Sequence, residues 1–519
     1  MSRGCRARVL ALRFAASNAV AAIALLAPGH GAFAQNARPT RCELVQQPST
    51  RLSSDSLPGV GQVLYVGGGP LSVLIKCPER GITLRGDSAQ QFADHDQMIG
   101  HATYDEPRFH VAADFLNYFH TDDRVTAAGN VHARLASGST LDGPQAEYLH
   151  ASPKIRAHDQ MRAIARPTIT IVERDSTGKP QPPTTVVSDS VFVDNDSLVS
   201  ASANVVITRP NLSATADSAF IDQGHETMRL MKHPVLKGTT SRPFTLTGTV
   251  IDMYSKNRKL QRVLSRPNAV ATSDSMTLKS DTIDLRVHDD QLDHAYAWSG
   301  GDSTHAGNRA RVISPSQNLT ADSLDVAMPN QHVRLVHAVR RALAESKPDT
   351  TRFKLDKPDT LNWLQGDTIV AHFDSLAAGD TTKNPPIRQL VASGHASSLY
   401  HMAPSDTSIH RPAINHVVAR VITIDFDQQK VGTVTTVDSV LGVYLEPKPD
   451  STSRKRALAD TVKAKPKTKP GAAPATGAKP PTSAPSKPPS TPPAKPPAKP
   501  PAESLTPGDA QRTPERARR

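Results

Sequence analysis

The chain has 519 residues and a formal net charge of +12, figures that in a folded basic domain would suggest a nucleic-acid partner. The charge lies outside the part that can fold: residues 1–34 carry +4, residues 447–519 carry +11, and residues 35–446 are left with −3. A body of that charge with 4% aromatic residues argues against nucleic-acid binding, which needs Lys and Arg on the folded face and rings for base stacking.

Residues 1–34 read as a signal peptide. Arg3, Arg6, Arg8 and Arg13 precede an apolar run over 14–27, a Pro28-Gly29 break follows, and Ala32 and Ala34 fit a cleavage site before Gln35. The apolar run is shorter than the ~20 residues that span a bilayer, and no other segment reads as a spanning helix. The mature chain is therefore expected to be soluble and periplasmic, with a possible outer-membrane association.

Residues 35–80 read as an N-terminal arm and hairpin. Removing the leader takes Cys5 with it and leaves Cys42 and Cys77. An even pair in an exported chain is expected to form a disulfide, because a structural zinc would need two further ligands. Gln62–Val66 and Leu71–Ile75 read as two strands around a Gly67-Gly-Gly-Pro70 hairpin turn.

From Gly81 the sequence alternates apolar and polar residues and shows almost no helical period. A unit recurs, anchored on a small polar residue that is often Asp and followed by apolar residues at every second position. It reads Asp114-Leu116-Tyr118, Pro144-Ala146-Tyr148, Asp189-Val191-Val193, Asp217-Ala219-Ile221 and Thr249-Ile251-Met253, and continues as Asp281-Ile283-Leu285, Asp322-Leu324-Val326, Asp367-Ile369-Ala371 and Arg420-Ile422-Ile424. A weaker copy starts at Asp87. The steps between anchors run from 27 to 53 residues, one strand pair plus loops of variable length, with the Asp residues placed at strand starts. This predicts an all-β body, an elongated β-jelly-roll or solenoid-like stack of repeats over 81–240 and 241–446. About ten pairs at ~4.8 Å would make it on the order of 50 Å long.

Side chains alternate faces along a strand, so the apolar members point to one interior while Asn117, Arg286 and Asp325 point outward. Leu116, Tyr118, Ala146, Tyr148, Val191, Val193, Ile221, Ile251, Ile283, Leu285, Leu324, Val326 and Ile369 are the candidates to line this interior as a groove for apolar chains. The competing expectation is that they simply pack on one another as solenoid core.

Residues 447–519 hold eighteen of the 43 prolines with repeated Lys-Pro-Pro runs. They predict a disordered polyproline-rich tail, a spacer or a cationic contact to anionic envelope polymers. Nothing in the chain reads as a catalytic or cofactor motif. Gly67–Gly69 lacks the Gly-Lys-Ser/Thr ending of a phosphate loop, and no Gly-x-Ser-x-Gly or His-Glu-x-x-His occurs. The His95/His101 and His288/His294 pairs have no accompanying ligand motif, and Asp194-Asn-Asp196 reads as a strand turn, since the later Gly and Glu of a calcium loop are absent. No catalytic residue, metal or cofactor is expected, and a polysaccharide-active enzyme would need paired carboxylates converging on an outer groove.

Ala113–Tyr118, Val125–Val131 and Leu141–Tyr148 together resemble the organic-solvent-tolerance (OstA-like) family, which includes the periplasmic bridge protein of lipopolysaccharide transport and the periplasmic domain of its outer-membrane partner. The resemblance covers residues 82–150 and recurs more loosely from Asp189 to Val443. It implies a V-shaped β-jelly-roll whose apolar groove shields the acyl chains of lipopolysaccharide or another amphipathic lipid, and which joins envelope transport partners, or copies of itself, by edge-strand pairing. The chain departs from the simple bridge protein in its longer body, its cysteine-bearing arm and its tail, and no C-terminal barrel is expected.

Overall fold

In the computed structural model the described residues run from Cys42 to Pro447, apart from 153, 240–242, 274–275, 290, 301–308, 316, 358–359, 376–384, 405–408 and 428–429. The leader expected over 1–34 and the tail expected over 447–519, Pro447 apart, lie outside them. The described residues form 34 strands of one antiparallel sheet with two single 3-10 turns, and they contain no α-helix. The protein is all-β.

The sheet is folded lengthwise into two wings. Long strands such as His95–Asp105, His110–Phe119 and Arg124–Arg134 run through both, bending where the register shifts between Ile99 and Ala102 and between Ala112 and Phe115. Elsewhere the same path is taken by two short strands in succession, as in Met276–Ser280 followed by Thr282–His288. Successive hairpins turn alternately at the outer rim of the upper wing, for example at Pro210-Asn211, and at that of the lower wing, at Asn257-Arg258. Each wing holds roughly twenty strand layers at about 4.8 Å, so the body is on the order of 95 Å long. Counting each strand pair as one layer halves that length.

The repeated Asp is the corner between the wings: Asp189, Asp281 and Asp322 stand just ahead of a strand, as expected, whereas Asp114, Asp217 and Asp367 lie within one. An apolar residue three positions before the Asp, a small one just before it and apolar ones two and four after it face inward, as in Leu319, Ala321, Leu324 and Val326 around Asp322. The change of parity lets one strand present its apolar side to the interior on both wings. Opposite Asp114, Asp189, Asp217, Asp322 and Asp367 the neighbouring strand carries residues with positive φ, such as Gly129-Asn130, Ala203-Asn204 and Gly394-His395. These bulges bend the strand. Their side chains reach back to the Asp: Asn130 Nδ2 donates to Asp114 Oδ2 at 2.9 Å, Asn204 Nδ2 to Asp189 Oδ2 at 2.7 Å and Arg341 Nη2 to Asp322 Oδ1 at 2.7 Å. Gly129 leaves room for this, since a Cβ there would stand 2.4 Å from Asp114 Oδ2.

Gly67–Pro70 is not a hairpin turn. The strand before it, Gly61–Gly67, pairs with Arg51–Leu57 and Ser88–Gln91 in the lower wing, and the strand after it, Val73–Cys77, pairs with Glu43–Leu44 and Ile82–Gly86 in the upper wing. The glycines carry the chain between wings, and a Cβ on Gly68 would sit 1.8 Å from the Ser49 carbonyl oxygen. The hairpin lies one step earlier, at Pro58–Val60. Cys42 is bonded to Cys77 with a Cα–Cα distance of 4.2 Å, fixing the arm to the first upper-wing strands. Strand pairing continues through residues 235–254, where Val235–Gly238 pairs with Phe244–Thr247 and Thr227–Met231 with Val250–Lys256.

Candidate functional site: the interior between the wings

The thirteen groove candidates fall in two adjacent inward rows of the lower wing, linked strand by strand through the register. One row runs Leu116, Ala127, Ala146, Ala163, Val191, Ala201, Ala219, Leu230, Ile251, Ser265, Ile283, Ala297, Leu324, Ala338, Ile369. From Ile251 onward it alternates large and small. The second row holds Tyr118, Tyr148, Val193, Ile221, Leu285 and Val326. All thirteen are buried except Ala146, which is half-buried. The facing row on the upper wing includes Leu84, Tyr104, Val111, Leu141, Ile169, Val186, Ile207, Leu236, Leu246, Leu278, Val312 and Leu364.

The interior is not one continuous trough. Its N-terminal third is packed shut. Tyr104 and Tyr118 meet from opposite wings at 5.7 Å between ring centroids, and Phe109 stacks on Tyr148 at 3.8 Å with the planes 4° apart. Polar pairs join the two rims outside these rings. Arg80 contacts Asp123, Glu106 Oε2 lies 2.8 Å from His150 Nε2, and Ser137 donates to Asp196 through its amide at 2.6 Å and its hydroxyl at 2.9 Å. The Tyr118 hydroxyl donates to Asp123 and that of Tyr104 to Glu106. Burial raises the Tyr104 and Tyr148 phenols well above their ordinary range and lifts Asp196 above the usual carboxylate value.

His150 is half-buried at this seam. Burial alone would lower its pKa, but the hydrogen bond and charge of Glu106, with Asp123 beside it, outweigh that and hold it above the ordinary value. A raised His pKa means that the seam is fully stabilised below about pH 6.5, the unfolded value, and loses that contribution as pH rises through the folded value. Amide exchange in His95–Asp105 and Thr140–Leu149, corrected for intrinsic rates, should therefore quicken as pH rises above about 6.5 through the raised value. His150→Gln should flatten the profile; a profile unchanged by that substitution would assign the effect elsewhere.

Beyond the seam the interior opens into adjoining cavities. One of about 110 Å³ is lined by Phe244, Met276 and Leu278 from the upper wing and by Leu285, Ala295 and Val326 from the lower. It shares Met276, Val312 and Val333 with a cavity of about 340 Å³ that extends to Ala371, Phe373 and Leu390. It shares Phe244 and Leu292 with one of about 220 Å³ that reaches the rims at Arg209, Arg258 and Lys259. Further on, Lys430 Nζ of the lower rim lies 3.2 Å from Asp349 of the upper. Leu285 and Val326 are the sequence-selected candidates that border the open space. The upper-wing residues and the rim cations were not among the candidates. The upper-wing signal is an apolar residue three positions ahead of each anchor and a small one just before it, where the parity change hides them from a count that starts at the anchor.

His95 pairs with Asp94, His101 with Asp87, His288 with Asp289 and His294 with Asp293, so each faces its own carboxylate. Asp96 and His120 approach the sulfur of Cys42, which is committed to the disulfide. Asn195 and Asp196 turn the chain with positive φ at both positions, between Ser190–Asp194 and Leu198–Arg209.

These features define an all-β, two-winged roll with an apolar interior. No family model and no curated protein matches the chain. Among solved structures it is similar to LptH of Pseudomonas aeruginosa, described as the LptA homologous periplasmic component of the conserved lipopolysaccharide transport device. Identity is 16%, the match covers 25% of this chain and 93% of that one, and the TM-score is 0.22.

Proposed function

We propose that this protein is an exported, non-enzymatic carrier that shields the acyl chains of lipopolysaccharide or a similar amphipathic lipid on its way to the outer membrane. The observation that carries this reading is the run of aliphatic cavities from Phe244 to Leu390, enclosed by residues of both wings. The OstA-like motifs over residues 82–150 agree with it. A space of about 340 Å³ would take roughly ten methylenes at a water-like ~30 Å³ each. Burial of each is worth ~0.8 kcal/mol, so occupancy needs no catalytic group. Envelope partners would join at the C-terminal end. There, among the described residues, Lys430–Val437 and Leu441–Leu445 each pair on one side only, and Val431, Val434, Val437 and Val443 are 37–49% exposed.

The packed N-terminal third favours a second role for that stretch, as a rigid scaffold that holds no lipid. A photo-reactive residue at Leu285 or Val326 should capture lipid, and one at Leu116 should not. Lipid extraction and mass spectrometry of the purified protein should return acyl chains that are lost on Ala295→Trp. Protein free of lipid, with no capture at Leu285, would leave the scaffold reading for the whole body.

A further inference from the structure

We infer that the chamber loads from its side, through a port at Arg209, Arg258 and Lys259, and that its ligand is an amphiphile whose anionic headgroup stays at this port while its chain lies inside. The inference rests on the shielding function proposed above and departs from it on the route, since a lipid passing from end to end would have to cross the packed N-terminal third.

The rim-reaching cavity is bounded by both wings, with Arg209 from the upper rim and Arg258 and Lys259 from the lower. Its lining holds these three cations and no carboxylate. Each cation is steadied by a carboxylate that lies off this wall: Arg209 Nη2 is 2.7 Å from Glu173, Arg258 Nε 3.8 Å from Glu226 and Lys259 Nζ 3.6 Å from Asp289. Glu173 and Glu226 face an adjoining recess beside Ile171 and Met228, which Arg209 and Arg258 also border from the other side. Arg258 Nη1 also donates to the Gln223 carbonyl at 2.7 Å. Guanidinium groups held in place present donors to a phosphate or carboxylate at little ordering cost. Behind them Leu260, Val287 and Leu292 lead to Phe244 and the inner cavities. A charged headgroup drawn into that aliphatic space would lose its hydration without a partner, so it stays at the cations.

The full chain is titrated by calorimetry with dodecyl phosphate, with dodecyl maltoside and with inorganic phosphate, each detergent below its micelle concentration. Dodecyl phosphate should bind about 10-fold more tightly than dodecyl maltoside, and inorganic phosphate should bind far more weakly than either. The Arg258→Gln/Lys259→Gln double variant should erase that preference and leave dodecyl maltoside within about 2-fold. Lys259→Gln alone, at a largely exposed position, should show part of the loss with the fold intact. Equal binding of the two detergents by the unmodified chain, or an unchanged preference in the variants, overturns the port and leaves the shielding function standing. Inorganic phosphate binding as tightly as dodecyl phosphate also overturns it, by making the cations a plain anion site. If neither detergent binds, the shielding function itself falls.

Discussion

Tyr148→Ala is expected to be among the most damaging single changes in the body, at about 3–5 kcal/mol of local stability. Tyr148 is buried, lies flat against Phe109 at 3.8 Å and meets His150 edge-on at 4.9 Å. Its removal leaves a ring-sized void that the strands on either side cannot close, and it strips the stack from a seam whose ion pairs are then open to water. Strands of a stacked body contact only near neighbours, so the loss should appear locally. Amide exchange should rise in Thr140–Leu149, Arg124–Arg134 and Gln160–Ile164 and stay unchanged in Ile387–Met402. A groove-lining role makes the opposite forecast, lower lipid capture with little change in exchange, so the two readings of this tyrosine separate in one experiment.

Loss of the disulfide, tested as Cys42→Ala/Cys77→Ala, should cost about 3–4 kcal/mol at the N-terminal end. The bond closes a loop with a sequence separation of 35. Besides it, the start of the arm is held by the pairing of Glu43–Leu44 with Lys76 and Ile75, by the Val45 amide on the Leu74 carbonyl at 2.8 Å and by the packing of Leu44 on the core. With the arm released, Val73–Cys77 becomes a bare edge of the upper wing. The variant should be cut by trypsin near Arg51 and Lys76 under conditions that spare the parent, and it should melt earlier there. Identical digestion patterns would mean that strand pairing alone secures the arm.

Much of the lower wing is legible in the sequence because apolar residues two and four places after each anchor all face inward, as Ile283 and Leu285 do after Asp281. The upper wing is hidden for a geometric reason: the corner changes parity, and Leu278 before the same Asp faces the same interior while standing out of phase with Ile283. The glycine run misleads for a related reason. Gly67–Gly69 has hairpin composition, yet the two flanking strands form their hairpins with other neighbours, Gly61–Gly67 with Arg51–Leu57 and Val73–Cys77 with Ile82–Gly86, which the composition of the glycine run does not encode. That the interior is closed at Tyr148 and open at Leu285 depends on which side chains oppose one another across the wings. Phe109, in the turn between His95–Asp105 and His110–Phe119, meets Tyr148 of Thr140–Leu149 across the wings, and no spacing along the chain announces the contact. The rim cations likewise come together only through folding, since Arg209 and Arg258 belong to different wings.

Nearly every strand pairs with strands that precede or follow it closely in sequence, as Leu212–Asp222 does with Leu198–Arg209, Thr227–Met231 and Val235–Gly238. Such a body can assemble in the order in which it emerges, like a zip: each new hairpin finds a finished edge waiting and leaves a fresh one for the next. Loop closure is then short at every step in spite of the length of the whole. The process has no internal stop, because each added layer recreates the surface that accepted it. The last two strands among the described residues, Lys430–Val437 and Leu441–Leu445, still carry the template outward.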